Sequence, residues 1–453
     1  MFKKVEIWIL YLTILFGFLF AVLFGVLVRQ ELVGATKVGW VSKSALLLAE
    51  IPSNLSILIN KGSVLQVEDK FPDLDGFNGT PQSEESYLLL SKYDGDLAEG
   101  ILELIDLTNF KVLHTWNPDI NAFNDLVDKV DEFEHLERDS KNSRLMMMHP
   151  LITKKGSLLF SDRGPLREIN ACSDLVSQNT HDAFHHSIEI DIDENIWIPS
   201  YIFPSDLPPE KVGINSKDEV RFYDDGIVQM SSDGDILFEQ SVSQIFIDNG
   251  LEYLLFSVGD MHFDQDPIHL NDIQPVDSDG EHWKKGDLFL SLRHQSMVLL
   301  YRPSTNKIIW KGTGPFFHQH DVDILDDHRI SIFNNNSKDF INANVVDGHN
   351  EVIIYDFNKN EYSSYLKDSL IKNDVKTITN GRSEILQNGD LFIEETIYGR
   401  SLYFNSNGSL RWTHVNRAKN GNVYYIGWSR ILYTKEHLQN VNNFLENRGI
   451  CNE

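Results

Sequence analysis

Cysteine is nearly absent: the 453-residue chain holds two, Cys172 and Cys451. They make neither a C-x-x-C motif nor a zinc-ligand spacing, which excludes a cysteine-ligated metal site. In an oxidising compartment they can form one bridge between the C-terminal tail and an early part of the body. Two separate thiols are the other reading, and spacing does not choose between them. Basic residues are scarce too: 40 Lys and Arg stand against 67 Asp and Glu, a formal net charge of −27. Nothing in such a chain neutralises phosphates over a surface, so nucleic acid is excluded as a partner, and a peripheral helix held on anionic lipid is disfavoured. Several catalytic signatures are also missing. There is no G-x-S-x-G elbow, P-loop or H-E-x-x-H, and no carboxylate pair of the kind glycosidases place across a scissile bond.

Long apolar runs are confined to the N-terminus. Lys3 and Lys4 precede 22 uncharged, almost wholly apolar residues from Ile7 to Val28. That length suffices to span a bilayer, and Val33-Gly34-Ala35 is a poor cleavage site, so the segment is expected to be an uncleaved single-pass anchor. The leading lysines favour a cytoplasmic N-terminus, with the body on the periplasmic or extracytoplasmic side. The expected organisation is an anchor over 1–30, a connector over 31–85 and one folded domain over 86–453. Within the connector, 39–60 reads as a short helix followed by a linker, and 66–85, rich in Asp, Pro, Gly and Ser, as a loop.

The folded part repeats one pattern: a polar residue, an alternating strand, a turn, then a second apolar strand. His149 opens HPLITKKGSLLF, His186 opens HSIEIDIDENIWIP, His269 opens HLNDIQPV, and His320 opens HDVDILDDHRISIF. Arg382 and Ser383 open RSEILQNGDLFI. One supersecondary unit repeated over most of a long chain predicts a solenoid or a propeller. Polar residues recurring at the head of the first strand are what the channel-lining strand of a propeller blade supplies. The fold class is therefore all-β, a six-bladed β-propeller after an N-terminal transmembrane helix. The blades start near Tyr87, His149, His186, His269, His320 and Ser383. A last strand over Asn422–Leu432 is expected to close the ring on the first blade.

On this reading His149, His186, His269 and His320 converge on one axial pocket. Two residues apart on a strand, His318 and His320 face one side, as do His269 and Asn271. An imidazole at the mouth of such a channel serves as a nucleophile, a general base or a metal ligand. Arg293, in SLRHQS, adds a permanent guanidinium whose fork fits a tetrahedral oxyanion. Histidines with one arginine and no carboxylate pair point to an anionic group handled by nitrogen donors. The bland alternatives are a backbone-bonding role for any single histidine, a solvated turn for Asp321, Asp323, Asp326 and Asp327, and core packing for Met146-Met147-Met148. A metal held by His186, His269 and His320 is the weaker reading, since Arg293 beside an ion is awkward. No metal or cofactor is expected.

At these residues the chain resembles the bacterial arylsulfate sulfotransferases, a family of six-bladed propellers. The matching segments are FHHSIEID around His186, HLNDI around His269, SLRHQS around Arg293, and QHDVDIL followed by ISIFNNN around His320. They stand in the right order over Ser86 to about Trp428. The resemblance implies transfer of a sulfuryl group from a phenolic sulfate ester to another phenol, without a nucleotide sulfate donor. It implies that His320 is the nucleophile and becomes a transient sulfohistidine. His186, His269 and Arg293 would hold the sulfuryl oxygens, with Asn271 assisting. His185, His318 and His149 are further substrate-binding candidates; beside His185, His186 keeps the register of the other repeats. Departures are the anchor in place of an N-terminal β-rich segment, and Asn334-Asn335-Asn336 where Asp-Asn-Gly is usual, read as a turn change remote from chemistry. The rival functions are a non-catalytic propeller binding an anionic or sulfated ligand or a partner protein, and a sulfate-ester hydrolase.

Overall fold

The structure is a computed structural model that describes residues 6–32, 39–60, 65–128, 130–133, 135–203, 205, 207, 222–257, 264–340 and 343–449. Lys3, Lys4, Val33 to Ala35 and Cys451 lie outside the described residues, while Cys172 is disulfide-bonded. Two helices, Ile7–Leu32 and Trp40–Asn60, fall in one compact unit, and the strands fall in another.

The first helix is apolar around its whole circumference. Its Ile7–Gln30 stretch of 24 residues carries no buried window. At about 1.5 Å per residue this stretch exceeds a bilayer core of about 30 Å, so the helix is long and apolar enough to cross a membrane. The second helix is longer than the short segment expected from its mixed sequence. It runs through Pro52, a residue that usually ends or kinks a helix.

The strand unit is an all-β, propeller-like arrangement. Four separate sheets have four or five strands each. Three consist of Leu270–Pro275 to Lys307–Gly312, His320–Ile324 to Glu361–Tyr365, and Arg382–Ile385 to Leu410–Val415. The fourth pairs Tyr87–Asp94, Glu99–Asp106 and Lys111–Trp116 with Arg430–Leu432. The strands from Met148–Ile152 to Ile236–Ser241 form one eight-stranded sheet. The expected six separate blades are thus not what the sheets give. Ser200↔Phe184 and Tyr201↔Ala183 pairs join two groups of four.

Burial follows position in each sheet. Leu288–Leu292 is buried at every residue, whereas the outer strand Lys307–Gly312 alternates exposed and half-buried positions before Gly312. A strand covered on both faces reads as a continuous apolar run, and one with a wet face alternates. A tryptophan of an outer strand pairs with its inner neighbour, as in Leu300↔Trp310 and Tyr403↔Trp412. Apolar clusters fill the space between successive strand groups. One joins Phe289 and Val298 to Ile330 and Ile353, and another joins Leu391 and Leu402 to Phe333 and Val352. A further cluster packs Phe392 and Trp412 of the last sheet on Leu88 and Leu90 of the first.

The ring closes through the C-terminus: Arg430, Ile431 and Leu432 pair with Leu89, Leu88 and Tyr87. The expected closing strand is interrupted, because Val423–Tyr424 pairs instead with Gln66–Val67. Residues 66–85 are likewise not all loop, since Gly76–Gly79 adds a fifth strand beside Leu410–Val415.

Candidate functional site

Six strands have a residue in the left-handed region at their start or within three residues ahead of it. These are His149 (φ 43°), His186 (57°), His269 (56°), His318 (49°), Asn380 (53°) and Trp428 (52°). Positive φ is uncommon for residues other than glycine and an outlier for bulky ones, so six such residues beside strand starts mark a built feature. His318 thus shares with His269 a left-handed backbone just ahead of its strand, and His320 stands two residues beyond it. Trp428 fills the same position ahead of the closing strand. Sequence reading passed over it, although NVYYIGWSRIL repeats the pattern.

Three imidazoles and the indole meet. The His186 ring centroid lies 5.2 Å from His269, 6.4 Å from His320 and 5.9 Å from Trp428. Trp428 also lies 6.1 Å from His320 and 5.6 Å from His149. His320 and Trp428 are fully buried, and His186 is 8% exposed.

The ring nitrogens have different partners. His320 Nδ1 lies 2.7 Å from Asn335 Oδ1, while its Nε2 is buried without a partner. His269 Nδ1 donates to the Asp266 carboxylate at 2.6 Å. His186 Nδ1 and His185 Nδ1 lie 2.8 Å apart. His185 itself sits behind the cluster, stacked on Tyr201 at 4.0 Å. His149 differs: Arg382 Nη1 lies 3.0 Å from its Nε2, and Arg430 Nη2 lies 3.1 Å from its Nδ1. That leaves His149 no free nitrogen for a ligand, a reason in geometry to remove it from the substrate-binding set.

Arg293 comes next to this cluster because its backbone N–H donates to the His269 carbonyl at 3.0 Å. One terminal nitrogen lies 2.5 Å from His294 Nε2, whose Nδ1 in turn lies 2.5 Å from the Asp266 carbonyl. Arg293 Nε is buried without a partner, as is Asn271 Oδ1. Asn271 Nδ2 donates to the Gln319 carbonyl at 3.0 Å. His318 is half-buried, its Nδ1 without a partner and its Nε2 4.0 Å from Asp339.

Burial, followed by the charge of Arg293, holds His320 well below the ordinary histidine range. Burial does the same to His186 and, against the pull of Asp266, lowers His269. Burial pushes His185 down to about 3. At neutral pH these imidazoles are uncharged and Arg293 is the cation among them. Asp266, His269 and His294 bring ligand atoms close enough for an ion. Yet the two nitrogens of His294 face the Asp266 carbonyl and Arg293, so it has no lone pair to spare.

Of the acidic residues read as a solvated turn, one is buried and another half-buried. Asp321 is 3% exposed and accepts from the backbone N–H of Ser383 at 2.8 Å. Asp323 is half-buried, with one oxygen enclosed. Asp326 and Asp327 do form the turn, with His328 and Arg329.

A family model described as Arylsulfotransferase (ASST) matches residues 149–417. No curated protein matches the chain. Similar solved structures include a protein of unknown function from Bacteroides caccae, 12% identical with a TM-score of 0.46, the match covering 77% of this chain and 99% of that one. Streptogramin B lyase is 9% identical with a TM-score of 0.37, over 78% of this chain and 96% of its own. Virginiamycin B lyase from Staphylococcus aureus is 12% identical with a TM-score of 0.35, over 74% and 87%.

Proposed function

The chain belongs to the arylsulfotransferase family, and from that premise we propose that it moves a sulfuryl group from an aryl sulfate ester to a phenol through His320. The observation that carries this reading is the buried set of unpartnered nitrogens, His320 Nε2 and Arg293 Nε, beside His186 and His269. A sulfuryl group has three oxygens that accept and a sulfur that takes a nucleophile. Uncharged imidazoles and one guanidinium match it.

In the first step the lone pair of His320 Nε2 attacks sulfur. The N–S bond forms as the S–O(aryl) bond breaks, and the aryl oxygen leaves with the electron pair as a phenolate. Arg293 Nε–H and His186 Nε2–H donate to the sulfuryl oxygens, and the lone pair of His269 Nε2 is kept for the proton of the second step. In the second step the acceptor phenol oxygen attacks sulfur, the N–S bond breaks, and the phenol proton passes to His269 Nε2. The Asp266 carboxylate on His269 Nδ1 stabilises the resulting imidazolium, which gives its proton to solvent once the product has left, while the phenolate released in the first step takes its proton from solvent. Asn271 and His318 border the same space and complete the substrate contacts.

We read the eight-stranded sheet as two blades fused by the pairs at Phe184 and Ala183, which makes six blades in all. Support comes from six apolar clusters that link successive groups of four strands and close on the first. The apolar N-terminal helix is read as the anchor. With Lys3 and Lys4 on the cytoplasmic side, the strand unit lies outside.

The test uses the full chain in detergent with 4-nitrophenyl sulfate, with and without added phenol. Nitrophenol release that rises with phenol, with parallel-line ping-pong kinetics, is expected. Release indifferent to phenol would make the chain a sulfatase, and no release with several acceptors would leave a binding propeller.

The pH profile gives a second prediction. A protonated imidazole is no nucleophile, and His320 in its buried site gives up its proton at a lower pH than a free histidine. The acid limb of kcat/KM is therefore expected below about 6.5, the value for an unperturbed histidine. A limb at or above that value would contradict the assignment of His320.

A further inference from the structure

Asn335 lies in the triplet Asn334-Asn335-Asn336, at a turn the sequence gives no reason to connect with chemistry. Its side chain is fully buried, and every polar atom of it is engaged. The amide nitrogen Nδ2 donates to two backbone carbonyls, Thr377 at 3.1 Å and Asn380 at 2.7 Å. Carbonyl oxygens only accept, so these two bonds settle which end of the amide is nitrogen. The other end, Oδ1, faces His320 Nδ1 at 2.7 Å.

The carbonyls that orient the amide are themselves fixed. Asn350 Nδ2 donates to the Asn335 carbonyl at 2.6 Å and to the Thr377 carbonyl at 3.0 Å, and Asn350 Oδ1 accepts from Thr377 N–H. Asn350 is fully buried as well. Rotating the Asn335 amide by half a turn would set its NH₂ against His320 and its oxygen against two carbonyl oxygens. Three hydrogen bonds would be lost or reversed around a fully buried side chain.

An amide oxygen can only accept, so the imidazole must bring a proton to it. The neutral ring carries one N–H, and placing it on Nδ1 leaves the lone pair on Nε2, the nitrogen without a partner. We propose that Asn335 is a positioning residue which holds the His320 proton on Nδ1 and so makes Nε2 the nucleophilic nitrogen. This rests on the sulfotransferase reading for the nucleophile, while the position of the proton stands apart from it. During transfer the arrangement needs no proton movement at His320. The N–S bond forms on Nε2, the ring becomes cationic, and Nδ1–H remains on Asn335 Oδ1. When the acceptor takes the sulfuryl group, the electron pair of the N–S bond returns to Nε2.

Asparagine and aspartate then differ in a predictable direction. The Asn335 amide, in accepting the Nδ1 proton, favours the charged ring somewhat, and a carboxylate in its place stabilises the imidazolium further and raises its pKa more. Asn335→Asp should keep the tautomer but move the acid limb of kcat/KM to higher pH. Asn335→Leu removes the acceptor, and transfer should fall on the order of 10²-fold, as expected for loss of the correct tautomer.

The experiment is two-bond ¹H–¹⁵N correlation on the full chain labelled with ¹⁵N-histidine, with His320 assigned by its loss in His320→Gln, alongside pH–rate profiles of wild type and Asn335→Asp. An Nδ1–H tautomer in wild type, with an acid limb raised in Asn335→Asp, is the expected result. An Nε2–H tautomer, or an acid limb unmoved in a folded Asn335→Asp, overturns the proposal. If wild type transfers no sulfuryl group yet shows the Nδ1–H tautomer, the sulfotransferase reading fails and the role of Asn335 in holding the proton stands.

Discussion

Replacing His320 by alanine is expected to lower phenol-dependent turnover of 4-nitrophenyl sulfate by at least about 10³-fold, the scale of losing a nucleophile that acts as part of a unit. The other groups of the site would still bind the ester. Arg293, His186 and His269 reach their places through bonds of their own, to His294, His185 and Asp266. KM should therefore move far less than kcat. Alanine also leaves Asn335 Oδ1 without its donor, at a cost of about 1–3 kcal/mol. A urea midpoint on the same preparation separates loss of chemistry from loss of fold. The covalent step has a direct readout too. Wild type given the aryl sulfate without acceptor should carry a sulfuryl group on the peptide containing His320, mapped by mass spectrometry at neutral pH. His320→Ala that retained a tenth of the turnover, or a label on another histidine, would refute this nucleophile.

The histidines could be read from sequence because their cause is local. A polar residue at the head of an alternating strand stands out whichever residues surround it, and three of the four recurring histidines meet, with His186 against both His269 and His320. The one set apart, His149, has the same local signal as the others. What distinguishes it is a pair of arginines more than two hundred residues away, and no window of sequence contains both. The left-handed register was likewise hidden. His318 and His320 both fit a strand pattern, and only the backbone decides that His318 corresponds to His269.

The misreadings share that origin. Asp321 stands in a run of aspartates, and composition alone sends such a run to solvent. Its partner is the backbone N–H of Ser383, 62 positions on, which belongs to the next sheet. Asp272 does the same for Val322 N–H at 2.8 Å. These carboxylates bridge neighbouring inner strands, a task that exists only once the sheets are assembled. Asp266 was passed over in the sequence, yet it orients His269. Its sequence signal was faint: a carboxylate three residues before one of the recurring histidines.

Closure of the ring should be the most fragile part of the fold. Trp428 holds a conformation that costs a bulky residue about 1–3 kcal/mol, so its surroundings must enforce it. Glu394 supplies the constraint. Its two carboxylate oxygens accept from the consecutive N–H groups of Trp428 at 2.6 Å and Ser429 at 2.7 Å, and the Thr396 hydroxyl donates to it at 2.8 Å. Glu394 and Ser429 are fully buried. Glu394→Ala leaves two buried backbone donors unsatisfied at about 1–3 kcal/mol each, partly offset because no carboxylate then needs to be desolvated. A net loss of about 3 kcal/mol is expected, read as a lower urea midpoint with unchanged slope on the full chain in detergent. Glu394→Gln keeps the volume but turns one acceptor into a donor facing an N–H, so it should be no better than alanine. The strand Arg430–Leu432 follows directly, and its pairing with Tyr87–Leu89 joins the two ends of the ring. Loosening Trp428 therefore acts on closure and on the cluster of His149, His186 and His320 together. Turnover per folded molecule should fall along with stability. A variant that unfolds at the wild-type midpoint, within about 1 kcal/mol, would mean that packing of Phe392 and Trp412 on Leu88 and Leu90 closes the ring without help from Glu394.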